Sequence, residues 1–412
     1  MLLVRQLSRL IGAGAVTLID ADGDVHRIEG TAEGPDVTVR LHDRGLHWRL
    51  LLEPRLAYGE AWVDGTLTID GGRLYDFLEL LGRNMAAFEA TPVARAGFAL
   101  DRLSRRIRQF NPIHRSRRNV AHHYDLSGAL YELFLDRDSQ YSCAYFQSPD
   151  ASLDDAQMAK KRHVAVKLLP RPGQRVLDIG SGWGGMALHL AREYGVDVTG
   201  ITLSTEQHGV ASLRAADAGL ADHVRFALRD YRHETGVYDR IVSAGMFEHV
   251  GATHYDAFFR KVRGLLADDG VMLLHAIGRM EPPGDTNPWI RKYIFPGGYT
   301  PALSEVLAAI ERQGLWVTDV EILRLHYAET LRHWRRRFDV NRDRVKALAG
   351  FDERFCRMWE FYLASCEMSF RHMGQMVFQL QLAKRIDAVP VTRDYMVDEE
   401  RRNRPRMRVA AE

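Results

Sequence analysis

The chain has 412 residues, 46% of them hydrophobic and 27% charged, with a formal net charge of +2. That length exceeds one ordinary core, so two domains are expected, and the balance is that of a globular chain rather than a disordered one. No run of about 18 apolar residues occurs, which argues against a transmembrane helix. The N-terminal stretch MLLVRQLSRLIGAG is broken by Arg5 and Arg9, unlike a signal peptide, so a cytoplasmic location is expected. The three cysteines, Cys143, Cys356 and Cys366, lie far apart. Neither a disulfide framework nor a metal site is indicated.

Charge is uneven along the chain. Between Asp101 and Arg118 one acid stands against seven arginines: Arg102, Arg105, Arg106, Arg108, Arg115, Arg117 and Arg118. A second cluster is Arg332, Arg335, Arg336 and Arg337, and a third is the tail RRNRPRMR. Such clusters attract phosphate, of lipid headgroups or of nucleic acid. The plainer alternative is a solvated helix face and a loose tail.

Taken in order, residues 14–70 read as β-rich. AVTLID and DVTVRLHD alternate, and ADGD between strands reads as a hairpin turn. YGEAWVDGTLTIDG and a helical LYDFLELLGRN follow. Asn111-Pro112 marks a break after the arginine-rich segment, and the domain boundary is set near residue 115. From about residue 170 the texture changes to strands alternating with helices. QRVLDI, VDVTGITL, VRFALRD, YDRIVSAG and VMLLHAIG read as strands. WGGMALHLAREYG, STEQHGVASLRAADAG (with Ser204 as N-cap) and THYDAFFRKVRGLLADDG, ending at Gly270, read as helices. This alternation implies an α/β fold with a doubly wound, mostly parallel sheet. After the Pro/Gly-rich 281–301 stretch come a helix over about 301–313, a strand over about 315–323 and a mostly helical C-terminus. The expected organisation is a smaller α+β domain over 1–115 and a Rossmann-like domain over 116–412.

The strongest local signal is VLDIGSGWGG (176–185), a strand running into a glycine turn that opens a helix. Gly180, Gly182 and Gly184 permit positive φ and close approach of a ligand at the carboxyl ends of the strands. Nicotinamide and flavin enzymes use such turns too, but usually follow the second strand with a carboxylate for the ribose. Here Thr202 and Ser204 stand there instead, and Asp178 gives D-x-G-x-G. That pattern resembles doubly wound methyltransferases that use S-adenosylmethionine (SAM).

Further motifs narrow the resemblance. YSCAYF (141–146), GITLSTEQ (200–207), YDRIVSAGMFEHVG (238–251), LLHAIG (273–278), WIRKYIFPGG (289–298), HYAETLRHW (326–334) and CEMSFR (366–371) accompany the glycine loop in order. Together they closely resemble the cyclopropane-fatty-acyl-phospholipid synthases, with the mycolic acid cyclopropane synthases as close relatives. The resemblance covers about 120–385, and YGEAWVDGTLTIDG extends it into the first domain. It implies SAM contacts at Tyr141, Ser142, Gly180, Gly182, Trp183, Gly184, Thr202, Leu203 and Gln207, with Asp178 before the loop. Tyr231, with Asp230 or Arg232, falls near the adenine position. It also implies a bicarbonate ion held by Cys143, Glu248, His275, the backbone of Ile277 and Tyr327, with Cys366 in a supporting place. Ser181 stands where relatives often have cysteine, outside those contacts. A homodimer is implied by the resemblance alone.

The implied chemistry suits these residue types. The π electrons of an acyl-chain alkene attack the sulfonium methyl, a carbocation forms, and a base removes a proton as the ring closes. Bicarbonate would be that base and would stabilise the cation in a dry pocket. Glu248 would accept its hydrogen or orient His275. Taken singly, each residue has a plainer reading: Cys143 as a small buried hydrophobe, His275 and Tyr327 as core, Glu248 as a cap. Their joint occurrence in the motifs reverses this.

A helix around 351–385 carries Phe355, Trp359, Tyr362, Met368, Phe370, Met373 and Phe378, a stripe weighted towards core over acyl tunnel. Peripheral attachment to the inner face of the cell membrane, on anionic lipid, is expected through the Leu2, Leu3, Leu7, Leu10 face and the 102–118 arginines. The expected substrate is an unsaturated phospholipid, with no nucleic acid as partner. The rivals are plain methylation of the acyl chain, a small-molecule methyltransferase, and a non-catalytic binding protein on the same fold.

Overall fold

The computed structural model describes residues 2–91 and 128–402. The 102–118 arginines, the boundary near 115 and most of the basic tail lie outside the described residues. Two sheets organise the rest. The first holds β1 (Ala13–Ile19), β2 (Val25–Glu29), β3 (Ala32–Leu41) and β4 (Leu67–Asp70) in the order β2-β1-β3-β4. The ADGD hairpin is as expected: the Asp20 carboxylate accepts the Asp22 and Asp24 N–H groups, both at 3.0 Å.

The reading of 14–70 as β-rich needs correction, because Leu46–Leu52 and Pro54–Val63 are helices. Pro54 supplies a preset first helical residue, and Ala57 and Ala61 fall one turn apart on the buried side. Helix Leu74–Arg83 follows β4 and ends on Asn84. The buried Asn84 amide knots this end to β1. Its oxygen accepts the Gly12 and Ala13 N–H groups at 2.8 and 3.0 Å, and its nitrogen donates to the Ala13 and Leu80 carbonyls.

The second sheet runs β10-β11-β9-β8-β5-β6-β7. Its strands are β5 (Arg175–Ile179), β6 (Asp197–Thr202), β7 (Val224–Leu228), β8 (Tyr238–Ala244), β9 (Leu266–Arg279), β10 (Trp316–Ile322) and β11 (Gln375–Ala383). Strands β5 to β9 are parallel, and β11 is antiparallel to both β9 and β10. Apolar residues alternate between the faces. Val176 packs with Leu188 and Leu190 of helix Gly185–Tyr194, while Leu177 and Ile179 pack with Phe258 and Val262 of helix Tyr255–Leu265. Burial on both faces is why these strands read as near-continuous apolar runs. The order reverses beside β5, so the turn after β5 lies at the switch point where such sheets bind ligands.

Two expectations at the C-terminal side change. The 255 helix ends at Leu265, not Gly270, because Leu266 already pairs with Tyr238 of β8. The long helix spans Glu353–His372 only, and beyond Gly374 the alternation Val377-Phe-Gln-Leu-Gln-Leu382 forms β11. The first sheet and its helices share one apolar core with helices His326–Val340 and Glu353–His372, including Trp62, Leu78, Trp334 and Trp359. Trp62 Nε1 donates to the Arg357 carbonyl at 3.1 Å and Arg357 Nε returns a bond to the Trp62 carbonyl at 2.6 Å.

The Asn84 knot predicts a measurable cost. Asn84→Ala leaves several buried backbone groups without partners and should lower stability by about 3 kcal/mol, read as a fall in the urea midpoint. An unchanged midpoint would show that the knot is dispensable.

Candidate active site

Strand β5 delivers Asp178 and then the turn 180–184 to the switch point. Gly180, Gly182 and Gly184 have φ of +86°, +53° and +86°, the region that disfavours side chains. Their surroundings differ. A Cβ on Gly180 would lie 2.7 Å from the Met246 side chain, and one on Gly184 would lie 2.7 Å from the Phe226 ring. Gly182 faces open space. It borders a cleft of about 140 Å³ that Asp178, Gly180, Trp183, Thr202, Leu203, Gln207 and Tyr231 also line. Gly184 does not line the cleft; it serves close packing of the following helix.

Among the described residues, two buried polar atoms around this cleft have no hydrogen-bond partner: Asp178 Oδ2 and Ser181 Oγ. Burial pushes the Asp178 carboxyl up to about 7. At the end of β6 the Thr202 hydroxyl donates to Gln207 Oε1 at 2.9 Å, and Ser204 caps the next helix by accepting the Gln207 N–H. Asp230 and Arg232, which also line the cleft, pair with each other at 3.2 Å beside Tyr231.

A second cavity of about 580 Å³ brings together all six residues expected to be catalytic: Cys143, Glu248, His275, Ile277, Tyr327 and Cys366. Glu248 Oε1 accepts the Ile277 N–H at 2.6 Å, while Oε2 has no partner. Desolvation pushes this carboxyl up to about 7. His275, on β9, is driven down to about 3 by burial, so its ring is neutral. The bond to its Nδ1 comes from Gln379 of β11, at 3.1 Å. Orientation by Glu248, one of the expected arrangements, gives way to this contact, because the Glu248 carboxylate turns to the Ile277 backbone. Burial pushes the Cys143 thiol well up and the Cys366 thiol to about 12, so both are held as thiols.

The rest of the cavity wall is largely apolar and comes from both sheets' neighbourhoods. Leu3, Leu7 and Leu10 of helix Leu2–Leu10 line it, as do Leu50, Leu78 and Phe88. Of the aromatic and methionine stripe, Tyr362, Met368, Phe370 and Met373 line the cavity. Phe355 and Trp359 pack in the core instead, and Phe378 sits in β11. Cleft and cavity meet at Tyr141, Ser142, Gly245 and His249, which line both.

Several of these residues were not singled out from sequence. Lys160, on helix Leu153–Leu168, is 1% exposed and lines the cleft. Its Nζ donates to Ser142 Oγ at 3.0 Å and to Gln140 Oε1, and burial lowers it to about 8. Gln157 on the same helix donates to the Ser142 carbonyl at 2.9 Å. A lysine pair in a helix reads as solvated, so the only signal was its place among apolar residues. Conversely, three arginines of the 332–337 cluster are internal ion partners: Arg332 with Glu329, Arg335 with Glu367, Arg337 with Asp154.

Comparison with known proteins decides the family. The family model for mycolic acid cyclopropane synthetase matches residues 112–380. The chain belongs to this family. It is similar to the cyclopropane-fatty-acyl-phospholipid synthase of Escherichia coli K12, with 35% identity over 85% of this chain and 88% of that one. It is also 42% identical to a probable fatty acid methyltransferase of Pseudomonas putida, over 61% of this chain and 65% of that protein's length. A mycolic acid cyclopropane synthase solved with SAH and CTAB superposes with a TM-score of 0.61 at 35% identity, covering 66% of this chain and 99% of that one. This cyclopropane synthetase family member is thus a SAM-dependent enzyme of the methyltransferase and cyclopropane synthase type. The cleft's orphaned Asp178 and Ser181 atoms and the open side of Gly182 fit a polar cofactor there.

Gly182→Val tests the cleft directly. A β-branched side chain both strains φ +53° and fills the open side. SAM affinity measured by calorimetry should fall at least ~10-fold, about 1.4 kcal/mol. Unaltered affinity would place the cofactor elsewhere.

Proposed function

We propose that the protein adds a methylene carbon from SAM across the cis double bond of an unsaturated phospholipid acyl chain, forming a cyclopropane ring, with bicarbonate as the base. The observation that carries this reading is the junction at Tyr141, Ser142, Gly245 and His249, where a polar cofactor cleft opens onto a largely apolar cavity lined by Cys143, Glu248, His275 and Tyr327. A volume of about 580 Å³ lies within the roughly 300–1,000 Å³ usual for ligand pockets. The likeness to the E. coli synthase reaches across 85% of the chain, which supports an acyl-phospholipid over a smaller substrate.

When bound, SAM supplies an electrophilic methyl group, and bicarbonate supplies a base and a negative charge. The chain's own residues then have distinct tasks. Tyr141 and Ser142 stand between cleft and cavity, and the Tyr141 hydroxyl is fixed by that of Tyr362 at 2.8 Å. His275 and Tyr327 line the cavity with groups able to donate to an oxyanion, and Cys143 lines it beside them with its thiol donating to the Ala144 carbonyl at 3.3 Å. Glu248 Oε2, lacking a partner, is suited to accept that anion's hydrogen. The apolar wall excludes water, so a carbocation on the acyl chain is stabilised by fixed charge and protected from hydrolysis. Plain methylation of the chain is the second reading, favoured by the likeness to the P. putida methyltransferase.

Attachment to the bilayer belongs to the same proposal. The expected Leu2, Leu3, Leu7, Leu10 face points largely inward: Leu3 is buried, and Leu3, Leu7 and Leu10 line the cavity. The exposed apolar side chains nearby are Leu2, Trp48 (51% exposed) and Leu52 (73%). They sit on helix Leu2–Leu10 and the adjoining helix Leu46–Leu52, with Arg5 and Arg9 exposed beside them. Apolar insertion beside cations suits an anionic lipid surface. The same two helices line the cavity, which offers an acyl chain a short route inward. Among the described residues no helix is long and apolar enough to cross a membrane.

Three outcomes follow. Incubation with SAM and mono-unsaturated phospholipid vesicles should add one CH2 unit and remove the alkene, with the ring visible by NMR; a retained alkene or an exocyclic methylene would favour methylation, and no lipid change would defeat both readings. Glu248 acts as its carboxylate, so kcat/KM at fixed free bicarbonate should rise with pH through about 7. Glu248→Gln should flatten that limb and cost on the order of 100-fold. Finally, the pair Trp48→Asp and Leu52→Asp should abolish co-sedimentation with anionic vesicles while sparing turnover of detergent-dispersed lipid. Undiminished sedimentation would rule this surface out.

A further inference from the structure

The hydrogen bonds behind His275 specify which ring nitrogen carries its proton. Lys167, on helix Leu153–Leu168, ends in an ammonium that can only donate, and it donates to Gln379 Oε1 at 2.8 Å. This orients the amide, since the reverse rotamer would point its NH2 at the ammonium. Gln379 Nε2 therefore faces His275 Nδ1, at 3.1 Å. An amide nitrogen donates, so Nδ1 must accept, and a neutral imidazole with an accepting Nδ1 has its hydrogen on Nε2. The three groups are 1%, 1% and 2% exposed, so water does not offer a substitute partner.

Lys167 is itself held in place. It pairs with Glu321 and lies 3.6 Å from Asp319 on β10, and its carbonyl accepts from Gln381 Nε2. Glu321 also meets His163 Nε2 at 2.7 Å, and His163 Nδ1 meets Glu400 on helix Asp394–Arg402. Neither Gln379 nor Lys167 lines the cavity, whereas His275 does.

We propose that Gln379, oriented by Lys167, is a positioning residue that keeps the proton of His275 on Nε2, so that the cavity receives a hydrogen-bond donor for an anion. This rests on the reading of the cavity as the reacting centre. With the proton on Nδ1, the Nε2 lone pair would face the anion and the donor would be lost. The partners that fix the tautomer of metal-bound histidines are worth roughly 10–100-fold, which sets the scale expected for Gln379.

The test is 15N NMR of the full chain labelled at histidine, with the His275 signals assigned by comparison with His275→Gln. The wild type should show a protonated Nε2 and an unprotonated Nδ1. Gln379→Glu keeps a partner for Lys167 but accepts from Nδ1, so it should move the proton to Nδ1 or protonate both nitrogens. It should lower kcat roughly 10–100-fold while the Kd for SAM and the KM for lipid stay close to wild type. Gln379→Met removes the donor without adding a charge and should leave a mixture of tautomers with an intermediate kcat. A wild-type ring protonated on Nδ1, or a Gln379→Glu protein with unchanged tautomer and kcat, would overturn the proposal. The wild-type spectrum needs no variant, so a substitution that misfolds does not decide the matter. A wild type that binds SAM but leaves lipid unaltered would count against the cyclopropanation reading alone, since the tautomer is read independently of turnover.

Discussion

The segment Gln140–Phe146 is the constraint on which the rest of the site depends. It lies where the cofactor cleft meets the apolar cavity, and buried donors and acceptors from three directions pin it. Gln157 and Lys160 hold Gln140 and Ser142 from one helix. Thr330 Oγ1 accepts the Ala144 N–H at 3.0 Å and His326 Nδ1 accepts the Phe146 N–H at 3.0 Å from another. The Tyr141 hydroxyl meets Tyr362 on a third. An irregular segment buried this deeply must satisfy its backbone groups somewhere, and here it does so through side chains of the covering helices. That fixes Ser142 and Cys143 against the cavity without a regular element beneath them.

Burial then sets the electrostatics. With water excluded, the charged forms of acids and bases alike are disfavoured. Asp178 and Glu248 rise towards neutrality, and His249 and His275 fall to about 4 and about 3. Near pH 7 the two histidines are thus neutral and the two carboxyls stand close to their midpoints, so a bound ion pair or a developing carbocation would act strongly on them. Lys160, with a value of about 8, stays mostly charged near pH 7 and lines the cleft.

The cavity also explains why the first sheet and the helical cover share one core. Neither closes the cavity alone. Leu3, Leu7, Leu50 and Leu78 form one side, and Tyr362, Met368 and Phe370 the other. The paired Trp62–Arg357 hydrogen bonds and the contacts of Glu60 with Lys292 and Tyr293, at 2.7 and 2.8 Å, fasten the two sides beyond the apolar contact. Asn84 braces the near wall from beneath, where the helix after β4 meets β1.

By itself the sequence determined the parallel strands β5 to β9, the glycine turn and the helix capped by Ser204, and it singled out many of the residues that line the cleft and cavity. These signals are local or carried by ordered motifs: a buried strand is a short apolar run, and a tight turn demands glycine within a few residues. Pairings between distant segments left weaker marks. The alternation in 375–383 is short and follows a long amphipathic helix, so in sequence β11 resembles its continuation. The helices over 46–63 were hidden between strands of similar composition. Only the tertiary structure decided that Gly184 packs while Gly182 opens, that Lys160 is buried, that Tyr362 and Met368 face a cavity while Trp359 does not, and that Gln379 rather than Glu248 stands behind His275. In each case the same residue type is compatible with either environment, and what selects between them is the packing of segments tens to hundreds of residues away.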